Sequence, residues 1–194
     1  MELRRPEGAS YEKQVKVRGT GFNRLQGIES LYWKADGARI FDIGCNRGAV
    51  GYDLASWGAS LVHGCDIDED GLNSARGLFA DLRNVESRFE RVDLTEGPKG
   101  LQIFGAQQYD ITLCLATYHK LKRLMRPEDL TRLVQAFGGW TRGYFAWRAT
   151  SDKHDENDEE MRALDRDLGP VGLSRIHTSY ISGELGVAAI WARS

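Results

Sequence analysis

Three carboxylates and one glycine-rich turn are the residues whose types and spacing point most directly to chemistry. In Arg39-Ile-Phe-Asp42-Ile-Gly44-Cys45-Asn46-Arg47-Gly48 an apolar run ends in a turn with glycine at both of its ends. Glycine has no Cβ, so backbone amides in such a turn can approach a ligand closely. Asp66 closes the next apolar run, 18 residues after Gly48, where a carboxylate can accept both hydroxyls of a ribose. Asp93 follows a third run, in ERVDL. One such acid alone would read as a solvated turn residue. Three at the ends of successive runs read as a site. The dinucleotide fingerprint G-x-G-x-x-G is absent, because Asn46 and Ala49 stand where its second and third glycines belong.

These residues need a scaffold that brings strand ends together, and the hydropathy pattern supplies one. The spacing predicts a short helix from Phe22 to Trp33, then strands at Arg39–Ile43, Leu61–Asp66, Arg88–Leu94, Tyr109–Leu115 and Gly143–Arg148. Helical faces fall between them: Val50, Leu54 and Trp57; Leu72, Ala75, Leu78, Phe79 and Leu82; and, behind Pro127, Leu130, Leu133, Val134 and Phe137. Alternating strand and helix implies a parallel sheet with right-handed crossovers and helices on both faces. The ending differs. Acidic Asp152–Glu160 leads into a helix marked by Met161, Leu164 and Leu168, and Leu173–Ile181 and Gly186–Ala192 then form a hairpin through SGEL.

With these elements placed, the sequence resembles the class I S-adenosylmethionine-dependent methyltransferases. The family motif D/E-x-G-x-G-x-G stands here as Asp42-Ile-Gly44-Cys45-Asn46-Arg47-Gly48, with Asn46, which tolerates left-handed backbone, for the middle glycine. The resemblance covers roughly residues 22–193. It implies a Rossmann-like α/β fold: a seven-stranded, mostly parallel sheet with an antiparallel terminal hairpin and helices on both faces. It further implies that Asp42 helps hold the methionine amino group and that Asp66 binds ribose, with Asp68 as the fallback. Ile67 would pack on adenine, Asp93 would bond the adenine amino group beside the Leu94 backbone, and Gly44, Cys45, Asn46, Gly48 and Leu115 would complete the cofactor wall. The cofactor would be S-adenosyl-L-methionine, the product S-adenosyl-L-homocysteine, with no metal.

Members of this family carry their reactive residues after the fourth strand, here Tyr118-His119-Lys120. A hydroxyl acceptor gains from a base titrating near neutrality, which nominates His119 as catalytic; the alternative is that it caps the strand. Tyr118, Lys120 and Arg148 are candidate acceptor contacts, with Trp147 beside them. No D/N-P-P-Y motif and no Pro-Cys pair is present, and no carboxylate lies between Asp110 and Glu128 to hold Mg²⁺. The basic residues Lys120, Lys122, Arg123 and Arg126 form either a solvated surface or, with the basic N-terminal residues, an electropositive rim for an anionic acceptor. Two branches are similar by motif: RNA-phosphate methyltransferases of the bicoid-interacting type, and bacterial methyltransferases of saccharides. The acceptor is thus expected to be a saccharide, a small molecule or an RNA end, methylated on oxygen.

Composition narrows the setting. The chain has 194 residues, 41% hydrophobic and 28% charged, with net charge -2. That describes one folded domain over 22–194 behind a basic arm or lid at 1–21, and argues against bulk-charge coating of nucleic acid or membrane. No apolar run approaches the ~20 residues that span a bilayer. Three cysteines without a CxxC pair and four scattered histidines fit a reducing, cytoplasmic setting and argue against structural zinc. Two other readings stand beside the enzyme: a catalytically inactive cofactor-binding subunit serving a protein partner, and a nucleotide-dependent oxidoreductase.

Overall fold

The structure, a computed structural model, describes residues 24–149, 151, 153–181 and 186–194. The basic arm and the SGEL turn lie outside the described residues. Seven strands, β1 (Arg39–Ile43), β2 (Leu61–Asp66), β3 (Glu86–Arg91), β4 (Tyr109–Leu115), β5 (Thr141–Arg148), β6 (Leu173–Tyr180) and β7 (Val187–Arg193), form one sheet in the order β3-β2-β1-β4-β5-β7-β6. β1 to β5 pair in parallel, and β7 runs antiparallel between β5 and β6. The chain winds outward from β1 to β3 and then restarts on the other side of β1 with β4. The strand order therefore reverses between β1 and β4, where ligands of open α/β sheets bind.

Period-two side chains give the sheet two cores. In β5, Phe145 and Trp147 enter one layer and Ala146 the other, and in β7 Trp191 and Ile190 divide the same way. Helices α4 (Pro127–Trp140) and α5 (His154–Leu168) cover the first face with Leu133, Phe137, Leu164 and Leu168. Helices α1 (Ala49–Ser56) and α2 (Glu69–Phe79) cover the second with Leu54, Leu72, Ala75 and Phe79. Pro127 opens α4 with acids behind it, and the Asp68 side chain caps α2 by accepting from the Asp70 amide at 3.2 Å.

Several boundaries depart from expectation. Where the spacing predicts one helix over 22–33, Arg24 and Leu25 are helical, Gly27 at φ 84° interrupts the turn, and a 3₁₀ helix follows at Glu29–Lys34; 22 and 23 lie outside the described residues. Leu25, Ile28, Leu31 and Tyr32 are buried all the same, since spacing of three suits 3₁₀ geometry as well. β3 ends at Arg91, not Leu94, because the buried Val92 and Leu94 belong to the turn behind it. A further helix, α3 (Tyr118–Leu124), follows β4 directly, and the acids 155–160 lie inside α5.

One polar pair is sealed in the first core: His63 Nδ1 lies 2.8 Å from the Tyr109 hydroxyl, with both residues buried. Burial lowers the His63 pKa from 6.5 to about 4. The unfolded chain therefore takes up a proton between those values that the folded chain refuses, so stability falls as pH drops through this window. His63→Gln should reduce the loss of unfolding free energy between pH 6.5 and 4.5 by about 1–2 kcal/mol in urea titrations. Parallel pH profiles for the two proteins would contradict the assignment.

Candidate active site at the reversal of strand order

Beyond the carboxyl ends of β1, β2 and β4 lies a cleft of about 970 Å³. Its floor is the turn after β1, in which Gly44, Asn46 and Gly48 take φ values of 72°, 50° and 72°. These glycines answer to packing. A Cβ on Gly44 would overlap the Thr117 hydroxyl, and one on Gly48 would sit 2.9 Å from the Ala75 methyl. The amides of the turn are occupied within the protein: Gly44 and Cys45 donate to the Cys65 carbonyl, Gly48 to that of Cys45, and Asn46 to Asp66 Oδ2 at 2.8 Å. Four of the turn's five amides are thus occupied within the protein, and much of the ligand recognition falls to the side chains around it.

Those side chains are acidic on one side. Asp42 is 4% exposed, and burial together with nearby Asp66 raises its pKa to about 7 against the lowering effect of the Gly51 amide. Asp66 holds the turn with Oδ2 and the Asp68 amide with Oδ1 at 3.0 Å. Asp93 accepts from the Thr95 amide and hydroxyl on Oδ1, which lowers its pKa, so Oδ2 carries its remaining capacity. Ile67 is 56% exposed and lines the cleft with Val92, Leu94 and Leu115. Every residue expected to hold the cofactor except Gly48 lines this cleft.

The far wall departs further from expectation. α3 turns Thr117, Lys120, Leu121 and Leu124 to the cleft, spacing of three and four on one helical face. Tyr118 faces the opposite way and is 2% exposed in the first core, where burial raises its pKa. It is core, not pocket lining. His119 is half-buried on the flank of α3 and is not among the lining residues; burial, Lys120 and Arg123 lower its pKa. Trp147 is wholly enclosed and packs as core. Arg148 lies buried behind the wall at the end of β5, its pKa lowered by burial and by Arg24, with Glu29 opposing. Of the four residues expected at the reactive end, Lys120 alone lines the cleft.

The basic run is divided: Lys120 lines the cleft, while Lys122 and Arg126 are paired with acids, and the basic N-terminal residues lie outside the described residues. Lys122 pairs with Glu159 of α5 at 3.2 Å, and Arg126 pairs with Asp129 at 2.7 Å and Glu128 at 3.6 Å. Sequence reasoning missed Arg24 and Thr117, and it noted Arg47 only as a departure from the motif; all three line the cleft. Ala116, at φ 59°, was equally invisible. Its amide bonds the Arg148 carbonyl at 3.0 Å, and Thr117 Oγ1 lies 3.2 Å from the carbonyls of both Ile43 and Leu115. The end of β4 is thus held across β1 and β5 in a backbone conformation that costs a non-glycine residue about 1 kcal/mol or more. Among the described residues no group of three or more His, Cys, Asp or Glu is placed to hold a metal ion, and no helix is long and apolar enough to cross a membrane.

Residues 40–139 match the family described as "Methyltransferase domain". The chain is 32% identical over 120 residues to the ubiquinone biosynthesis O-methyltransferase of Bordetella avium, a match covering 60% of this chain and 46% of that protein. It spans about half the length of the curated relatives it matches. In structure it is similar to the magnesium protoporphyrin IX methyltransferase of Synechocystis PCC 6803, solved with bound S-adenosylhomocysteine, at 18% identity and TM-score 0.64, covering 96% of this chain and 89% of that one. An S-adenosylmethionine-dependent methyltransferase of Mesorhizobium loti gives 15% identity and TM-score 0.65, covering 88% and 98%. With the glycine turn and strand-end acids at the reversal of strand order, the family match establishes that the chain belongs to the class I S-adenosylmethionine-dependent methyltransferases.

Proposed function

We propose that the protein methylates an oxygen atom of a small acceptor, with the acids at the ends of β1, β2 and β3 holding the cofactor. The observation that carries this reading is the line of carboxylates Asp42, Asp66 and Asp93 along one side of a single cleft. They match, in order, a cationic amino group, a pair of ribose hydroxyls and an adenine amino group. Ile67 and Leu94 offer the apolar contacts an adenine ring needs, and the self-bonded turn suits a ligand without phosphate. The choice of oxygen is supported by the O-methyltransferase relatives and by the absence of a D/N-P-P-Y or Pro-Cys motif. A saccharide, another small molecule or an RNA end would each supply such an oxygen, and a reducing cytoplasm is part of the same reading.

S-adenosylmethionine, held by Asp42, Asp66 and Asp93, would supply a methyl group on a cationic sulfur for transfer to the acceptor oxygen. The chain's own contribution is alignment, through walls fixed at Gly44, Ala116 and Thr117. His119 is the proposed base, taking the hydroxyl proton. That role rests on the sequence; His119 adjoins the cleft-lining Lys120 in the chain without lining the cleft itself, and burial, Lys120 and Arg123 lower its pKa.

Two outcomes follow. In the ligand-free protein Asp42 is about half protonated near pH 7, so holding a cation there expels a proton. Cofactor affinity should tighten about eightfold from pH 6 to 7.5 and lose this dependence in Asp42→Asn. Because a raised carboxyl pKa makes ionisation costly, the ligand-free Asp42→Asn protein should also melt higher than wild type at pH 8. A flat wild-type profile would remove Asp42 from the site. For His119, a screen of catechols, sugars, sugar phosphates and short RNAs by S-adenosylhomocysteine release finds an acceptor. On it, His119→Ala should lose about 100-fold or more in kcat with cofactor Kd unchanged. Unchanged kcat would leave alignment alone as the source of rate. Cofactor binding without turnover of any acceptor would favour an inactive subunit that serves a protein partner.

A further inference from the structure

Thr117 lines the cleft where β4 leaves the sheet, and its hydroxyl oxygen occupies the space a Cβ on Gly44 would fill. Oγ1 lies 3.2 Å from the carbonyl oxygens of both Ile43 and Leu115. A hydroxyl has one hydrogen to donate and two lone pairs that accept. With these two carbonyls beside it the hydrogen is committed to them, and among the described residues no donor reaches the oxygen in return. Thr117 is thereby fixed as an acceptor. It can take a hydrogen from a ligand and has none to offer. Ile43 follows Asp42 in β1, so the hydroxyl stands at the same strand end as that carboxyl. Asp42 belongs to the α1 side, where it accepts from the Gly51 amide, whereas Thr117 opens α3, whose Tyr118 and Leu121 pack in the opposite layer.

The reading above gives the ribose hydroxyls to Asp66 and the adenine amino group to Asp93, beyond β2 and β3. The cofactor donor left for the fork of β1 and β4 is the ammonium, whose three N–H groups each need an acceptor on leaving water. Asp42 can meet it from one side. Resting on that reading, we propose that Thr117 is a cofactor-binding residue: its oxygen accepts a hydrogen bond from the ammonium, from the layer opposite Asp42, and makes this end of the cleft select for an amino group. The committed hydrogen is what gives the selectivity. A hydroxyl free to turn would meet a carboxylate as readily as an ammonium, but this one presents lone pairs alone.

The test titrates two probes into the full chain by calorimetry: S-adenosylhomocysteine, and its deaminated analogue with hydrogen in place of the amino group. Wild type should bind the first roughly tenfold or more tightly than the second. Thr117→Val keeps the shape and removes the oxygen. It should weaken S-adenosylhomocysteine about tenfold and the deaminated analogue less than about twofold, so that the losses of hydroxyl and amino group are coupled. Thr117→Ser should restore the wild-type preference. If melting shows the valine variant unfolded, Thr117→Ala, which brings no methyl to the place of the hydroxyl, carries the same comparison. A residue that only pins β4 to β1 would weaken both ligands alike, and that result would overturn the proposal. So would a folded valine variant that binds both ligands as wild type does. Failure of wild type to bind S-adenosylhomocysteine at all would instead overturn the functional reading on which the proposal rests.

Discussion

The contact between Gly44 and Thr117 sets the rest of the site. β1 and β4 are hydrogen-bonded neighbours whose chains leave the sheet toward different layers, one into α1 and the other into α3. Their exits cross where a Cβ on residue 44 would overlap the Thr117 hydroxyl. Glycine in a left-handed conformation resolves the crossing on β1, and Ala116 accepts the same conformation on β4. Thr117 then reaches back to the Ile43 carbonyl. Because this fork is pinned, the floor of the cleft and its α3 wall keep a fixed separation, which a reaction governed by alignment requires.

Fixing the fork also decides what the turn cannot do. Its amides at 44, 45, 46 and 48 are taken up by Cys65, Asp66 and Cys45, so the glycines serve packing and the neighbouring carboxylates are left for recognition. Asp66 shows the economy of this arrangement, since the group proposed to meet ribose also ties the turn to the end of β2. Asp42 shows its cost. A carboxyl buried next to another acid resists ionisation, a state a cationic ligand relieves. The site is therefore less stable empty than filled, as functional sites commonly are.

Much of this was legible in sequence because it is local. Strands β1, β2 and β4 are short apolar runs whose bounds coincide with those seen, and Asp42, Gly44, Asn46 and Asp66 carry a motif whose spacing follows from strand-turn-helix geometry. What was not legible depends on partners distant in the chain. The basic run 120–126 looked unanswered because Glu159 lies on α5. At strand ends the sequence left pocket lining and packing both open for Tyr118 and leaned to packing for Trp147; α3 rotates the first into the core and the sheet buries the second. Arg24 joins the cleft from the helical residues before Gly27, which carry no strand-end signature, and nothing about an alanine at 116 announces a left-handed backbone. Periodicity near three could not separate helix from 3₁₀ over 29–34, where Gly27 just before the segment made the difference.

The central claim is that the acids beyond β1–β3 make this cleft a cofactor site. The most direct measurement is calorimetric titration of S-adenosylhomocysteine into wild type and Asp66→Ala, with thermal melting of both to confirm that the variant is folded. The account predicts one site per chain in wild type and an affinity roughly tenfold or more weaker in the folded variant, as expected for lost hydrogen bonds to a charged group. No binding to wild type, or equal affinity in the two proteins, would contradict it.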